Sequence, residues 1–140
     1  MRVDAALLCD AATVREGLLH ILGGGATVVS RAVFPTSLGL VMAVSLTVDP
    51  DEVAGHHEIV VELATMDEGQ ALGRAGLVWE AQEIPSTPFP EIPLQLPAVV
   101  PLQLTVPRPG AYRVRLLIDD RVERELALLV NPTEEGRATS

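Results

Sequence analysis

Hydrophobic and polar residues alternate with a period of two along most of the chain. Residues 38–48, LGLVMAVSLTV, carry a large hydrophobic side chain at every second position from Leu38 to Val48. Residues 57–66, HEIVVELATM, place Ile59, Val61 and Leu63 opposite Glu58 and Glu62. Because successive side chains of a strand point to opposite faces, this pattern predicts strands with one buried and one solvated face. The same pattern predicts further strands over residues 75–82, 99–106, 112–118 and 122–130.

Short segments rich in Gly, Pro and Asp separate these runs, such as PRPG at 107–110 and DDR at 119–121. Such punctuation at short intervals is typical of β-sandwiches and barrels. No run predicts the helical crossover of a dozen or more residues that parallel strands require. We therefore expect one antiparallel β-sandwich of about seven to nine strands, immunoglobulin-like or C2-like. It spans residues 1–131, and a flexible polar tail follows at 132–140.

The N-terminal third allows two interpretations. Residues 2–10, RVDAALLCD, are consistent with a buried strand, but 11–22 fit either an amphipathic helix or a turn at 15–17 followed by a strand. A helix would place Gly17 in its interior, at a cost of about 1 kcal/mol relative to Ala. The Glu-Gly pair suits a hairpin turn. The strand is favoured, the helix stays as the alternative, and Gly23–Gly25 predicts a break or bulge before a strand over 26–34.

The last two strands form a hairpin whose register the hydrophobic pattern specifies. A three-residue loop at 119–121 keeps the apolar residues of both strands on one face. An even-length loop would place Leu116 opposite Glu123. The predicted pairs are Ile118–Val122, Val114–Leu126, Tyr112–Leu128 and, on the outer face, Arg115–Glu125. This register turns Arg124 inward opposite Leu116, which suits a position at the rim of the sandwich.

Composition narrows the functional classes. The 140-residue chain has a net charge of −9 and only 3% aromatic residues, so aliphatic side chains must fill its core. An acidic chain lacks the Lys and Arg excess that nucleic acids and anionic membranes attract. One cysteine allows no internal disulfide. Because no stretch of about 20 apolar residues and no signal peptide is evident, we expect a cytoplasmic protein without a membrane span.

Three segments resemble an uncharacterised family of small bacterial β-rich proteins. They are VDAALLCDAATV and EGLLHILGGG near the N-terminus and VPRPGAYRVRLLIDD near the C-terminus. The family opens with a hydrophobic strand that ends in a Cys-Asp-like pair and closes on a Pro-Gly-x-Tyr hairpin. The resemblance implies a β-rich fold and no assigned activity, cofactor or site.

Catalytic candidates are few. Cys9 and Asp10 together with His20 are the residue types of a thiol–imidazole pair, but nucleophilic catalysis needs a base within hydrogen-bond reach. Cys9 follows three apolar residues and is interpreted instead as a small buried hydrophobe. The sequence contains none of the common hydrolase, zinc-protease or phosphate-loop motifs. We therefore predict a protein that is not an enzyme and needs no cofactor.

Two segments are candidate binding sites. Asp49, Asp51, His56 and His57 lie in one presumed connection and could together bind a metal ion, although adjacent histidines on a strand point to opposite faces. The spacing of the acidic residues does not match a calcium loop. The alternative interpretation is a polar loop at a hairpin tip.

The second segment is proline-rich, with six prolines between residues 83 and 101. Proline cannot donate to a sheet ladder, so we expect an extended connection that covers a sheet edge. Alternatively it is a recognition arm that binds a partner through Phe89, Ile92 and Leu94. The favoured function is a non-enzymatic protein-interaction or structural module that binds a protein partner or self-associates through an edge strand or this arm. The rival function is a small-molecule or metal-binding domain built on 49–57.

Overall fold

The chain forms an all-β structure, as the sequence predicts. The computed structural model describes residues 1–49, 55–80 and 93–133. These ranges contain eleven strands, slightly more than expected, because three of them have only two to four residues. The strands are β1 (Arg2–Arg15), β2 (Leu18–Gly24), β3 (Val28–Arg31), β4 (Thr36–Ser37), β5 (Leu40–Val48), β6 (His56–Thr65), β7 (Ala71–Glu80), β8 (Leu94–Leu102), β9 (Thr105–Val106), β10 (Gly110–Ile118) and β11 (Arg121–Pro132).

Two large sheets make up the sandwich. The first sheet has the strand order β2-β1-β5-β8 and is antiparallel throughout. The second sheet has the order β3-β11-β10-β6-β7, in which only the short β3 runs parallel to its neighbour β11. A further small pair joins β4 and β9. In the described ranges no helix is long and apolar enough to cross a membrane.

The core lies between the two large sheets and is almost entirely aliphatic. The alternating hydrophobic residues of β5 point inward, and each is at most 3% exposed. They pack with Ile59, Val61 and Leu63 of β6 and with Leu116 and Leu128 of the C-terminal hairpin. Tyr112 is the one aromatic residue among the buried core positions in the described ranges. The predicted inward faces are therefore confirmed for β5 and β6. The predicted solvated outer faces are wrong in part, since Thr47 of β5 and Glu62 of β6 are only 6% and 7% exposed.

The N-terminal hairpin confirms the strand interpretation, and the helix alternative is wrong. β1 and β2 pair antiparallel from Arg15 opposite Leu18 to Cys9 opposite Gly24. Glu16 and Gly17 form the turn with φ of 54° and 74°. Positive φ at both central residues matches the right-handed twist of the flanking strands. The predicted break also occurs, since Gly23 and Gly25 have positive φ and the next strand begins only at Val28.

The C-terminal hairpin has the predicted register over most of its length. Tyr112 pairs with Leu128, Val114 with Leu126 and Arg115 with Glu125, and Leu116 faces Arg124 rather than Glu123. The predicted three-residue loop and the Ile118–Val122 pair are wrong. Asp119 and Asp120 form a two-residue turn with φ of 49° and 66°, and Ile118 pairs with Arg121.

A bulge in β11 compensates for the difference between the predicted three-residue loop and the observed two-residue turn. The register shifts between Leu116 and Leu117, so that Glu123 is an extra residue in β11. A turn that matches the strand twist and one bulge together keep Leu126 and Leu128 directed inward. Val122, beyond the bulge, is 55% exposed instead of buried.

Arg124 lies at the rim, as predicted. Its Nη2 donates a hydrogen bond of 2.8 Å to the carbonyl oxygen of Val3 in β1. β1 belongs to the opposite sheet, so this contact bridges the two layers where β1 and β11 come into contact. The inward-pointing position is thus compatible with a charge because the guanidinium reaches a polar partner at the sandwich edge.

Candidate functional site

Strand β2 is the most unusual surface of the described structure. It is the edge of the first sheet, and no other strand of the described residues pairs with its outer side. Its sequence, LLHILGG, contains no Asp, Glu, Lys or Arg. Leu18 is 63% exposed and Leu22 is 72% exposed. Large aliphatic residues are rarely left this accessible in a row on an edge strand.

The exposed leucines share one face of the ribbon. Leu18, His20 and Leu22 alternate along β2 and are all exposed, whereas Leu19 on the other face is half-buried. Ile21, also on that other face, is 36% exposed. The two faces are therefore distinct, and the one that carries Leu18 and Leu22 is the more accessible.

The hairpin curls back over the first sheet. β2 contacts both β5 and β8, although β1 separates it from β5 in the strand order. Its tip, Gly17–Leu19, lines a small cavity with Ser45, Gln95 and Pro97. Ser45 and Pro97 point away from the core, so the hairpin rests against the outer face of the sheet. The backbone amides of Gly25 and Ala26 also donate to the carbonyl of Leu8 and fix the base of the hairpin.

The other sheet edges are protected against strand addition. β8 contains Pro97 and Pro101, which cannot donate backbone hydrogen bonds. β7 contains Arg74, and β3 is only four residues long and contains Arg31. Short strands, prolines and charges are the usual means by which edges resist pairing with another chain. Among the edges of the two large sheets, β2 is the one without any of them in the described residues.

An apolar groove lies at the seam where β1 and β11 meet. It has a volume of about 370 Å³, and none of its lining residues is charged. Leu8 and Leu128 line it and also belong to the core. Its other lining residues are Ala6, Leu7, Gly25, Ala26, Thr27, Met66, Ala111, Leu126, Ala127 and Leu129. The lining therefore offers no charged side chain that would orient a polar ligand.

The catalytic candidates are not brought together. Cys9 pairs with Gly24, whereas His20 pairs with Thr13, four positions further along β1. Four residues of strand span about 13 Å, which is far beyond hydrogen-bond reach. Cys9 is 0% exposed, and this burial raises the pKa of its thiol, which favours the less reactive protonated form.

The candidate metal residues are only partly placed together. His56 and His57 are the first residues of β6, and Asp49 directly follows β5, while Asp51 lies outside the described residues. His57 Nδ1 lies 2.8 Å from Asp119 Oδ2, and the imidazole packs against Trp79 at a centroid distance of 5.7 Å. Within the described ranges, no three His, Cys, Asp or Glu side chains converge as metal ligands would.

Asp119 itself has a structural role in this cluster. Its Oδ1 accepts a hydrogen bond of 2.9 Å from the backbone amide of Glu58. That hydrogen bond, followed by the contact with His57, lowers the pKa of the Asp119 carboxyl. The carboxylate therefore ties the β10–β11 turn to the start of β6.

Two of the three candidate partner-binding residues, Phe89 and Ile92, lie outside the described residues. Leu94, the third, is the first residue of β8. It lies opposite Val48 of β5 and packs half-buried against the core. Sequence patterns did predict β2 as a strand but did not single it out as a site. The available signal was the charge-free run LLHIL, which becomes informative only once the strand order shows that it is an edge.

Over the residues that the structure describes, the fold and this surface define a β-sandwich with one unprotected, apolar edge strand. The chain belongs to DUF6941, a family of unknown function, whose family model matches residues 4–131. The resemblance to an uncharacterised β-rich family is thus confirmed. No curated protein matches the chain.

Proposed function

We propose that this protein is a non-enzymatic protein-interaction module that binds its partner by adding a strand to β2. One observation carries the proposal: β2 is a charge-free edge with Leu18 and Leu22 63% and 72% exposed. An edge strand presents a row of backbone N–H and C=O groups that a further strand can pair with.

The physical gain on binding has two sources. The added strand exchanges hydrogen bonds with the free side of β2, which fixes its direction and register. It also covers exposed leucine surface, and burial stabilises by roughly 25 cal/mol per Å² of apolar area. Leu18 and Leu22 supply most of this area on the accessible face.

The edge is already formed before a partner binds. The turn at Glu16 and Gly17, the pairing with β1 and the contacts of Gly25 and Ala26 with Leu8 hold β2 as a strand. A binding surface that needs no ordering loses less conformational entropy on association. This supports strand addition at β2.

The proposal is tested by titrating a soluble strand-forming peptide of alternating Val and Thr into isotopically labelled protein. We expect amide chemical-shift changes concentrated on residues 18–24 and loss of binding in Leu22→Lys. Val78→Lys is the matched control, because Val78 is 61% exposed on a different sheet. Absence of binding, or changes concentrated elsewhere, would contradict the proposal.

The alternative function, binding of a metal ion or small ligand near residues 49–57, is favoured by the His57–Asp119 pair. A carboxylate that holds one imidazole nitrogen is a common way to orient a metal-binding histidine. A calorimetric titration with Zn²⁺ distinguishes the two functions. Binding that His57→Ala and His56→Ala abolish, and His20→Ala leaves intact, would support the alternative, and unchanged affinity in the first two variants would end it.

A further inference from the structure

We infer that the strand added to β2 is β2 of a second copy of this chain, antiparallel across a twofold axis, with His20 opposite His20 of the second copy. The inference rests on the proposed function of β2 as an edge that accepts a strand. It names the partner and the register.

The sequence of β2 is self-complementary in this register. In LLHIL the residues on either side of His20 match in type, Leu18 with Leu22 and Leu19 with Ile21. An antiparallel pair centred on His20 therefore places Leu18 opposite Leu22 of the second copy, and the reverse. Directly opposed side chains lie on the same face, with Cβ atoms about 4.5–5.5 Å apart. The exposed leucines of both copies thus cover one another.

Neighbouring registers lose this match. A shift of two residues in one direction places Leu18 opposite Gly24, and the same shift in the other direction places it opposite His20. A shift by one residue joins the exposed face of one copy to the half-buried face of the other. The register centred on His20 is the one that pairs both exposed leucines with leucines.

Charge also favours β2 as the contact between copies. Each chain carries a net charge of −9, so two copies repel one another. β2 has no Asp, Glu, Lys or Arg, and the nearest acid at the tip of the hairpin, Glu16, falls opposite Gly24 of the second copy. The pairing therefore joins two acidic molecules without placing carboxylates opposite each other.

The interface is small, which sets the expected strength of the dimer. β2 has seven residues, which span roughly 23 Å at about 3.3 Å per residue. Stable protein complexes usually bury about 800 Å² on each partner. We therefore expect a weak dimer whose population rises with protein concentration.

Sedimentation velocity across a wide concentration range tests the association. We expect a monomer–dimer equilibrium for the unaltered chain, loss of the dimer in Leu22→Lys and an unchanged dimer in Val78→Lys. Leu22 is 72% exposed, so the variant keeps its fold, which circular dichroism checks. A chain that is monomeric at every concentration, or a dimer that survives Leu22→Lys, would overturn the inference.

A charge-swap variant tests the register. Leu18→Glu and Leu22→Lys each weaken the dimer when introduced alone. Combined in one chain, the two substitutions place the introduced carboxylate at position 18 of each copy opposite the introduced ammonium group at position 22 of the other. The double variant should therefore recover at least part of the association. Failure of the double variant to exceed both single variants would refute this register.

Cross-linking provides an independent readout of the same register. Position 20 lies opposite itself, so His20→Cys should form a covalent dimer under mild oxidation, because opposed strand residues come within reach of a disulfide. Cys9 is 0% exposed and does not compete. Val78→Cys is the control and should stay monomeric, and equal cross-linking of both variants would count against the pairing.

These results separate the inference from the function on which it rests. A chain that stays monomeric but binds the Val-Thr peptide at β2 retains the proposed function and loses the second copy as partner. A chain that neither dimerises nor binds the peptide loses both.

Discussion

Asp119 links two strands of the second sheet through three contacts. Its backbone amide donates to the carbonyl of Glu58 at 2.9 Å, its Oδ1 accepts from the amide of Glu58, and its Oδ2 contacts His57. The hydrogen bond from the Glu58 amide to the Asp119 side chain is also the main reason that the pKa of the Asp119 carboxyl is lowered. The native state therefore favours the charged carboxylate more than the unfolded chain does.

This lowered pKa predicts a pH dependence of the folding free energy. The contribution of Asp119 is fully present above the pKa of an unfolded aspartate and is lost as pH falls through the lowered native value. We expect Asp119→Asn to cost about 1 kcal/mol at neutral pH and less in acid. Urea unfolding over a pH series measures it. Asp120→Asn is the control, since Asp120 makes no side-chain hydrogen bond in the described structure, and a constant deficit of Asp119→Asn at every pH would contradict the prediction.

Glu62 is the one carboxylate buried on the outer face of the second sheet in the described ranges. It is 7% exposed and lies 2.8 Å from Arg74 and 3.2 Å from Arg115. Because these hydrogen bonds involve charged groups and little water, Glu62→Gln should destabilise by about 1.5–3 kcal/mol. Glu125→Gln, whose side chain is 43% exposed, should cost under about 1 kcal/mol. Chemical denaturation measures both, and equal costs would refute the role of burial.

The β10–β11 turn has an uncommon backbone conformation. Asp120 has φ of 66°, which favours glycine over residues with a side chain. Turns of this kind prefer glycine at the second central position. We therefore expect Asp120→Gly to raise the free energy of unfolding by about 0.5 kcal/mol. Thermal or urea unfolding measures it. A decrease in stability would show that the aspartate side chain stabilises the turn by more than glycine gains from adopting a positive φ without strain.

Elements with strict alternation could be predicted from sequence, because one register alone buries the whole apolar face. β5 and the Tyr112–Leu128 and Val114–Leu126 pairs are examples. The length of the Asp119–Asp120 turn could not, since a bulge at Glu123 gives the same inward pairs as a longer loop. Alternation reports which face a residue occupies, and an extra residue beyond the last matched pair does not change that face.

Strand order decides which strand edges of the molecule are available for pairing with another chain. The sequence predicts a strand at 18–22 but not that it lies at an edge, because edge position depends on how distant strands assemble. The parallel pairing of β3 with β11 joins residues 28–31 to residues 129–132, about 100 positions apart in sequence, and has no local signal either. β8 lies at the opposite edge of the first sheet, and its prolines protect that edge against pairing with another strand. The β2 edge has no such protection.

The net charge of the molecule predicts how salt changes the strength of the dimer. Two copies of charge −9 repel at low ionic strength, while the contact through β2 is apolar and does not weaken when charges are screened. Raising the salt concentration from about 0.01 M to about 0.1 M shortens the screening length from about 30 Å to about 10 Å. The dissociation constant of the dimer should therefore fall with added sodium chloride, as measured by sedimentation equilibrium. Leu22→Lys should stay monomeric over the same range, which excludes a salt-induced contact elsewhere. Dissociation on adding salt would instead indicate an interface built from ion pairs and would refute pairing through β2.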